Sequence, residues 1–239
     1  MGTHARLGPS SAHRWARCPA SIRLSETLPE ASPGVAATAG TLMHTIFERL
    51  LLNQSHLHEP EIEFLEQCGI PETRARQIID QGVQAARRVL RQFQIKEFLT
   101  ETRVDPGRTI GRSDFWGTAD LIGACAAGEI LLIGDFKTGR GRVDVIANDQ
   151  LLSYALGALS LLSFEPTRIV LAIFQPPWLG DFPAVWETDR ETLKQFQDFI
   201  AERAALTDQP EYPPQPSEDA CAWCPAKHIC PAHVNLCHD

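Results

Sequence analysis

The chain has 239 residues, a formal net charge of -8, 44% hydrophobic residues and 22% charged residues. That balance is ordinary for a globular domain with a buried core, and no apolar run reaches the length of a membrane span. The net acidity excludes polynucleotide binding by bulk charge, so any nucleic acid would need a local basic groove.

The first 17 residues carry charge but no apolar centre, so they do not read as a secretory signal. Arg6 stands where a myristoylation site needs Ser or Thr. A cytoplasmic protein with no membrane partner is therefore expected. The seven cysteines are an odd number, which argues against a disulfide framework in that compartment.

In chain order, residues 1–37 read as irregular, with a short helical piece over 11–25 that carries Trp15 and Cys18. A helix is expected from Ala39 or Gly40, where Leu42, Met43, Ile46, Phe47, Leu50 and Leu51 recur at helical spacing and His44 lies off their stripe. A second helix is expected over 71–94, with Ile78, Ile79, Val83, Ala86, Val89, Leu90 and Phe93 inward. The period then shortens. Residues 98–104 read as a strand containing Glu101, and Asp105-Pro106-Gly107-Arg108 reads as a turn. Residues 115–122 and 129–137 complete an antiparallel meander. A helix over 148–162, an apolar strand over 168–175, an edge strand over 185–187 and a helix capped by Thr188 or Asp189 and running through Leu206 follow. In that last helix Leu193, Phe196, Phe199 and Ile200 are expected to face inward. A proline-rich linker over 210–216 leads to a cysteine-bearing tail.

The third strand ends in Gly134-Asp135-Phe136-Lys137. Alternation puts Asp135 and Lys137 on one face at the strand's open end. Asp120 ends, or nearly ends, the neighbouring strand, so two carboxylates can approach one ion. Oxygen ligands of this kind suit Mg²⁺ or Mn²⁺, and a nitrogen from His44 tilts the preference toward Mn²⁺. The backbone carbonyl of Phe136 can add a ligand. Such an ion polarises a phosphodiester, and Lys137 can position or deprotonate the attacking water or neutralise developing charge. Gln150 and Tyr154, one helical turn apart, share a face that can orient Lys137 or touch a nucleic-acid backbone.

The ordered set Gly40-x-x-x-His44, Gly117-Thr118-Ala119-Asp120, Gly134-Asp135-Phe136-Lys137 and Gln150-x-x-x-Tyr154 resembles the RecB-type branch of the PD-(D/E)XK nucleases over residues 40–155. The resemblance implies an α/β, restriction-endonuclease-like core with a mixed central sheet flanked by helices, and divalent-metal cleavage of DNA. It implies His44, Asp120 and Asp135 as ligands, Lys137 as the catalytic lysine, and Gln150 and Tyr154 as an auxiliary motif. Glu101 matches a supporting acidic position. Asp135 stands where many members carry Glu.

Cys221, Cys224 and Cys230 make an incomplete tetrahedral set, and Cys18 is the natural fourth thiolate. The layout resembles the iron–sulfur nucleases of the same superfamily, the AddB-type subunits and the CRISPR spacer-acquisition nucleases, in which a [4Fe–4S] cluster clasps the chain ends. A Zn²⁺ ion accepts the same four ligands, and His228, His233 or Cys237 can replace one of them. Trp15, Trp223 and Ile229 are expected to wall the cluster, whereas Cys68 and Cys125 read as ordinary thiols.

The whole chain reads as one nuclease domain, with a core over about 38–206 and cluster-binding segments over about 11–25 and 217–239. Arg103, Arg112, Arg140 and Arg142 gather near the strand ends and can line a phosphate groove. Trp116 and Phe115 can stack on bases or fill the core. The expected activity is that of an exonuclease on single-stranded DNA or DNA ends in recombination, repair or phage DNA processing, with a recombination or replication protein as a possible partner. The alternative is a binding module that uses the same fold, with a structural zinc or iron–sulfur site, to hold DNA or a protein.

Overall fold

The computed structural model describes residues 5–29, 32, 34–54, 57–139, 141–176 and 182–236. Arg140 and Cys237 lie outside the described residues. The first element among the described residues is a 3₁₀ turn, Pro9–Ser11, followed by α1 (Ala12–Trp15), α2 (Ala20–Glu26), α3 (Val35–Leu51), α4 (Glu59–Gln67) and α5 (Glu72–Gln92). Then come β1 (Glu97–Val104), β2 (Gly117–Cys125), β3 (Ile130–Phe136), α6 (Asp149–Ala158), β4 (Arg168–Phe174), β5 (Ala184–Asp189), α7 (Arg190–Leu206), α8 (Glu218–Ala222) and α9 (Pro231–Leu236).

The five strands form one mixed sheet in the order β1-β2-β3-β4-β5. The meander β1-β2-β3 is antiparallel; β2 and β3 are joined by a short turn over 126–129, β1 and β2 by a longer loop over 105–116. β3 and β4 are parallel, with α6 in the crossover between them, and β5 returns antiparallel at the edge. Helices cover both faces, which is why all seven residues of β3 are buried. Leu131 and Ile133 join Trp15, Leu151, Tyr154 and Phe196 on one face. Leu132 and Phe136 join Met43, Phe47, Ile79 and Val83 on the other. No helix among the described residues is long and apolar enough to cross a membrane.

On the second face the Phe136 ring stacks on Phe47 at 4.5 Å, and Phe174 lies 6.2 Å from the Phe47 ring. Gly82 of α5 provides the clearance, since a Cβ there would lie 2.4 Å from Phe136 Cε2.

The structure departs from the sequence reading at several points. Helix α3 begins at Val35, earlier than expected, and α4 was not anticipated. The latter is closed by a capping box in which the His58 N–H donates to Glu61 at 2.9 Å. Helix α6 stops at Ala158 and tightens into a 3₁₀ turn, Leu159–Leu161. Phe199 is 41% exposed and does not point inward; it sits one position off the Leu193–Phe196–Ile200 stripe. Asp189 caps α7 by accepting the Thr192 N–H at 2.8 Å.

The segment over 11–25 is core, not an appendage. Leu7, Ala12 and Trp15 are fully buried against α6 and the sheet. The Trp15 indole N–H donates to the Gly8 carbonyl at 3.1 Å, and its ring meets Phe115 edge-on at 5.4 Å. Arg17 pairs with the buried Asp149 of α6, and Arg203 of α7 donates to the carbonyls of Ala16 and Arg17.

Candidate functional site

Asp120 is the fourth residue of β2, but the rungs between β2 and β3 begin at Leu121↔Gly134. Asp120 and Asp135 therefore lie together just past the end of that ladder. The Asp120 carboxylate takes the place of the missing rung, since its Oδ2 accepts the Phe136 N–H at 2.7 Å. The site thus holds Phe136 through its N–H. The expected strand-end position of Asp120 is correct relative to β3, though not relative to β1, which runs alongside it.

His44 projects from the middle of α3, and its Nδ1 lies 3.2 Å from Asp120 Oδ1. Its ring also tilts against Phe136 at 5.3 Å. Glu101 completes the group, with ligand atoms of His44, Glu101 and Asp120 all within 4.8 Å of one another. Glu101 sits in the middle of β1 with φ 42°, between Thr100↔Leu121 and Thr102↔Ala119. A left-handed residue inside a strand is strained by about 1–3 kcal/mol, and here that backbone turn accompanies a carboxylate aimed at the Asp120–His44 pair.

Asp135, fully buried, faces the other arm of the site. Its Oδ1 accepts from Gln150 Nε2 at 2.8 Å. Its Oδ2 lies 2.8 Å from Lys137 Nζ but is not in hydrogen-bonding alignment with it, and has no hydrogen bond from another described group. Lys137 donates instead to Gln150 Oε1 at 2.9 Å, and Gln150 Nε2 also reaches Tyr154 Oη at 3.2 Å. Asn148 fixes this helix end by accepting the N–H groups of Gln150 and Leu151. All six residues of the expected set, together with Glu101, therefore converge.

Electrostatics follow from crowding three carboxylates at a closed strand end. Burial, then the nearby Asp120, pushes the Glu101 carboxyl up to about 7. Burial likewise raises Asp135, against the opposing pull of Lys137. Burial works against the charged forms of His44 and Lys137, yet the neighbouring carboxylates outweigh it and hold both above their ordinary values. Tyr154 is raised by burial and by Asp135, so its hydroxyl stays protonated. The cluster is a sink for positive charge. Glu101→Gln should accordingly stabilise the metal-free protein. The full shift would correspond to about 3 kcal/mol; Glu101 is an exposed residue and water screens its carboxyl, so about 1 kcal/mol remains, or roughly 2–4 °C in Tm. The same variant should show a smaller Mn²⁺-induced rise in Tm in a thermal melt.

The arginines divide. Arg112 donates to both oxygens of Asp114 at 2.8 Å and to Asp208 at 2.6 Å, so it clasps the end of α7 and is not free for phosphate. Arg103 stacks over Trp116 at 3.9 Å. Phe115 is fully buried in the core. Arg142 is exposed and lines a cleft of about 520 Å³ together with Lys137 and Gln150.

Cys18, Cys224 and Cys230 are buried, and Cys221 is half-buried. Burial raises the Cys18 thiol, and the charges of Cys224 and Cys230 add to this, so the N-terminal thiol does lie near the tail. Among the described residues no three sulfurs come within 4.8 Å of one another. The expected walls are not present. Trp15 belongs to the main core, Trp223 is 81% exposed and Ile229 is 45% exposed.

The family model described as "Protein of unknown function (DUF2800)" matches residues 4–238. Among solved structures the chain is similar to "Crystal structure of SSO0001", with 18% identity and a TM-score of 0.43 over 95% of this chain and 86% of that one.

Proposed function

The chain belongs to the DUF2800 family of unknown function, and we propose that it is a divalent-metal-dependent deoxyribonuclease with a RecB-type PD-(D/E)XK core, acting on single-stranded DNA or DNA ends. One observation carries the reading. His44, Glu101 and Asp120 offer ligand atoms within 4.8 Å of one another, next to a buried Asp135 whose Oδ2 lacks a hydrogen bond. One imidazole among several carboxylates fits Mg²⁺ or Mn²⁺.

His44, Asp120 and Asp135 would hold the ion, with Glu101 beside them and the Phe136 carbonyl as a further donor. The bound ion would polarise a phosphodiester and lower the pKa of a water. Lys137 remains an ammonium at neutral pH because Asp135 and Asp120 outweigh its burial. That favours charge stabilisation over proton abstraction as its role. Gln150 bridges the ammonium and Asp135 with its two amide atoms, and Tyr154 buttresses Gln150 from the next turn.

A [4Fe–4S] cluster on Cys18, Cys221, Cys224 and Cys230 belongs to the same proposal, with Zn²⁺ as the alternative. A cube spreads its thiolates farther apart than a single ion does, and Cys18 is close enough to feel Cys224 and Cys230 although no three sulfurs lie within 4.8 Å of one another among the described residues. Iron and zinc analysis of anaerobically purified protein separates the two.

The test of the activity is degradation of an end-labelled oligonucleotide in Mn²⁺, with 5′- and 3′-blocked forms alongside. Degradation is expected to stop in chelator and in Asp135→Ala. Cleavage that persists in either would refute the proposal.

A further inference from the structure

The cleft that contains Lys137 and Gln150 continues away from the carboxylates to a wall that the proposed chemistry does not use. Trp223 stands on that wall, in the residue after α8, and is 81% exposed. A large indole rarely stays in water when a domain has core to fill. No aromatic or cationic partner meets it among the described residues. Ile146, across the same cleft, is 62% exposed.

The charges of the cleft decide what it can hold. Arg17, Lys137 and Arg142 are matched in number by Asp144, Asp149 and Asp219. Arg17 is paired with Asp149, and Lys137 with Asp135. Asp144 accepts the Ile146 N–H at 3.0 Å. Arg142 is exposed and has no ion-pair partner among the described residues. A cleft so balanced gains little from neutralising phosphates. What it presents is one free guanidinium and one bare aromatic face. A duplex hides its base faces in its own stack, whereas a single strand can splay a base onto an indole.

We infer that this cleft is a binding subsite for single-stranded nucleic acid, in which Trp223 stacks one base and Arg142 meets one phosphate, so that the strand enters the Lys137–Gln150 mouth in a set direction. The inference rests on the nuclease reading for what happens at that mouth, but the subsite is testable without it.

Binding of a short fluorescent oligothymidylate is measured by anisotropy in chelator, where no cleavage can intervene. Trp223→Ala should weaken it by about 5- to 150-fold, the range expected for one lost base stack, and Trp223→Phe should recover most of the loss. The exposure of Trp223 means that neither change threatens the fold. The slope of log K on log salt should be about -0.7, the value for a single phosphate on a single strand. A duplex of the same length should bind weakly and show no dependence on Trp223. Wild-type affinity in Trp223→Ala, no binding by the wild type, or a duplex bound through Trp223 would each overturn the subsite. The metal centre is checked separately with bis(p-nitrophenyl) phosphate, which needs no cleft. Trp223-dependent binding without hydrolysis sinks the nuclease reading alone, and hydrolysis without Trp223-dependent binding sinks the subsite alone.

Discussion

Lys137→Met should lower Mn²⁺-dependent cleavage by about 10²–10³-fold, the range for removing one preorganised charge from a transition state, while the protein stays folded. Methionine keeps the length of the stem and removes only the ammonium that Asp135 and Gln150 hold. The fold should survive because burial already raises the Asp135 carboxyl. Without its ammonium partner, that group can take up a proton instead of standing as a bare buried charge. The loss should fall on the single-turnover rate at saturating Mn²⁺ and leave oligonucleotide affinity nearly unchanged. Arginine should not restore the rate, because a planar guanidinium does not reproduce the compact ammonium. An unchanged rate in Lys137→Met would remove Lys137 from the chemistry.

The second large effect concerns Gly82, on the opposite side of Phe136 from the carboxylates. Helix propensity alone predicts that Gly82→Ala stabilises α5 by about 1 kcal/mol. Packing predicts the opposite. The added methyl would meet Phe136 Cε2 at 2.4 Å, and that ring has nowhere to swing because Phe47 stacks on it at 4.5 Å. Overpacking of this kind costs about 1–3 kcal/mol, and the pinned ring puts Gly82 at the top of that range. A net loss of about 2 kcal/mol follows, or roughly 4–8 °C in Tm. Phe136 is also the residue between Asp135 and Lys137. A shift of about 1 Å there is enough to cost about 10²-fold in rate. Urea midpoints and cleavage rates below the melting range should therefore both fall. A more stable Gly82→Ala would show that propensity wins and the ring can yield.

These two residues also mark what the sequence could and could not reveal. Asp135 and Lys137 were legible because a strand buried on both faces is apolar throughout, and a carboxylate and an amine at its end break that pattern. Asp120 was legible from the neighbouring hairpin strand, and Gln150 and Tyr154 from helical spacing. Gly82 carries no signal in the sequence, since the ring it accommodates arrives from 54 positions later. Glu101 was visible as an acid in a strand, but its left-handed backbone has no signature in a Glu. Arg112 looked like a groove residue because its partner Asp208 is 96 positions away. Trp223 looked like a cluster wall because it lies between two cysteines, and only its surface exposure separates those roles.

The way residues 5–25 are seated has a practical consequence. Trp15 and Leu7 fill a face of the sheet that α6 and α7 alone do not cover, and Arg17 compensates the buried charge of Asp149. A polypeptide trimmed back to the motif-bearing stretch would therefore not be a minimal catalyst. It would open a hydrophobic trench directly behind Gln150 and leave a lone anion at the start of α6. Such a fragment would aggregate before its chemistry could be assayed.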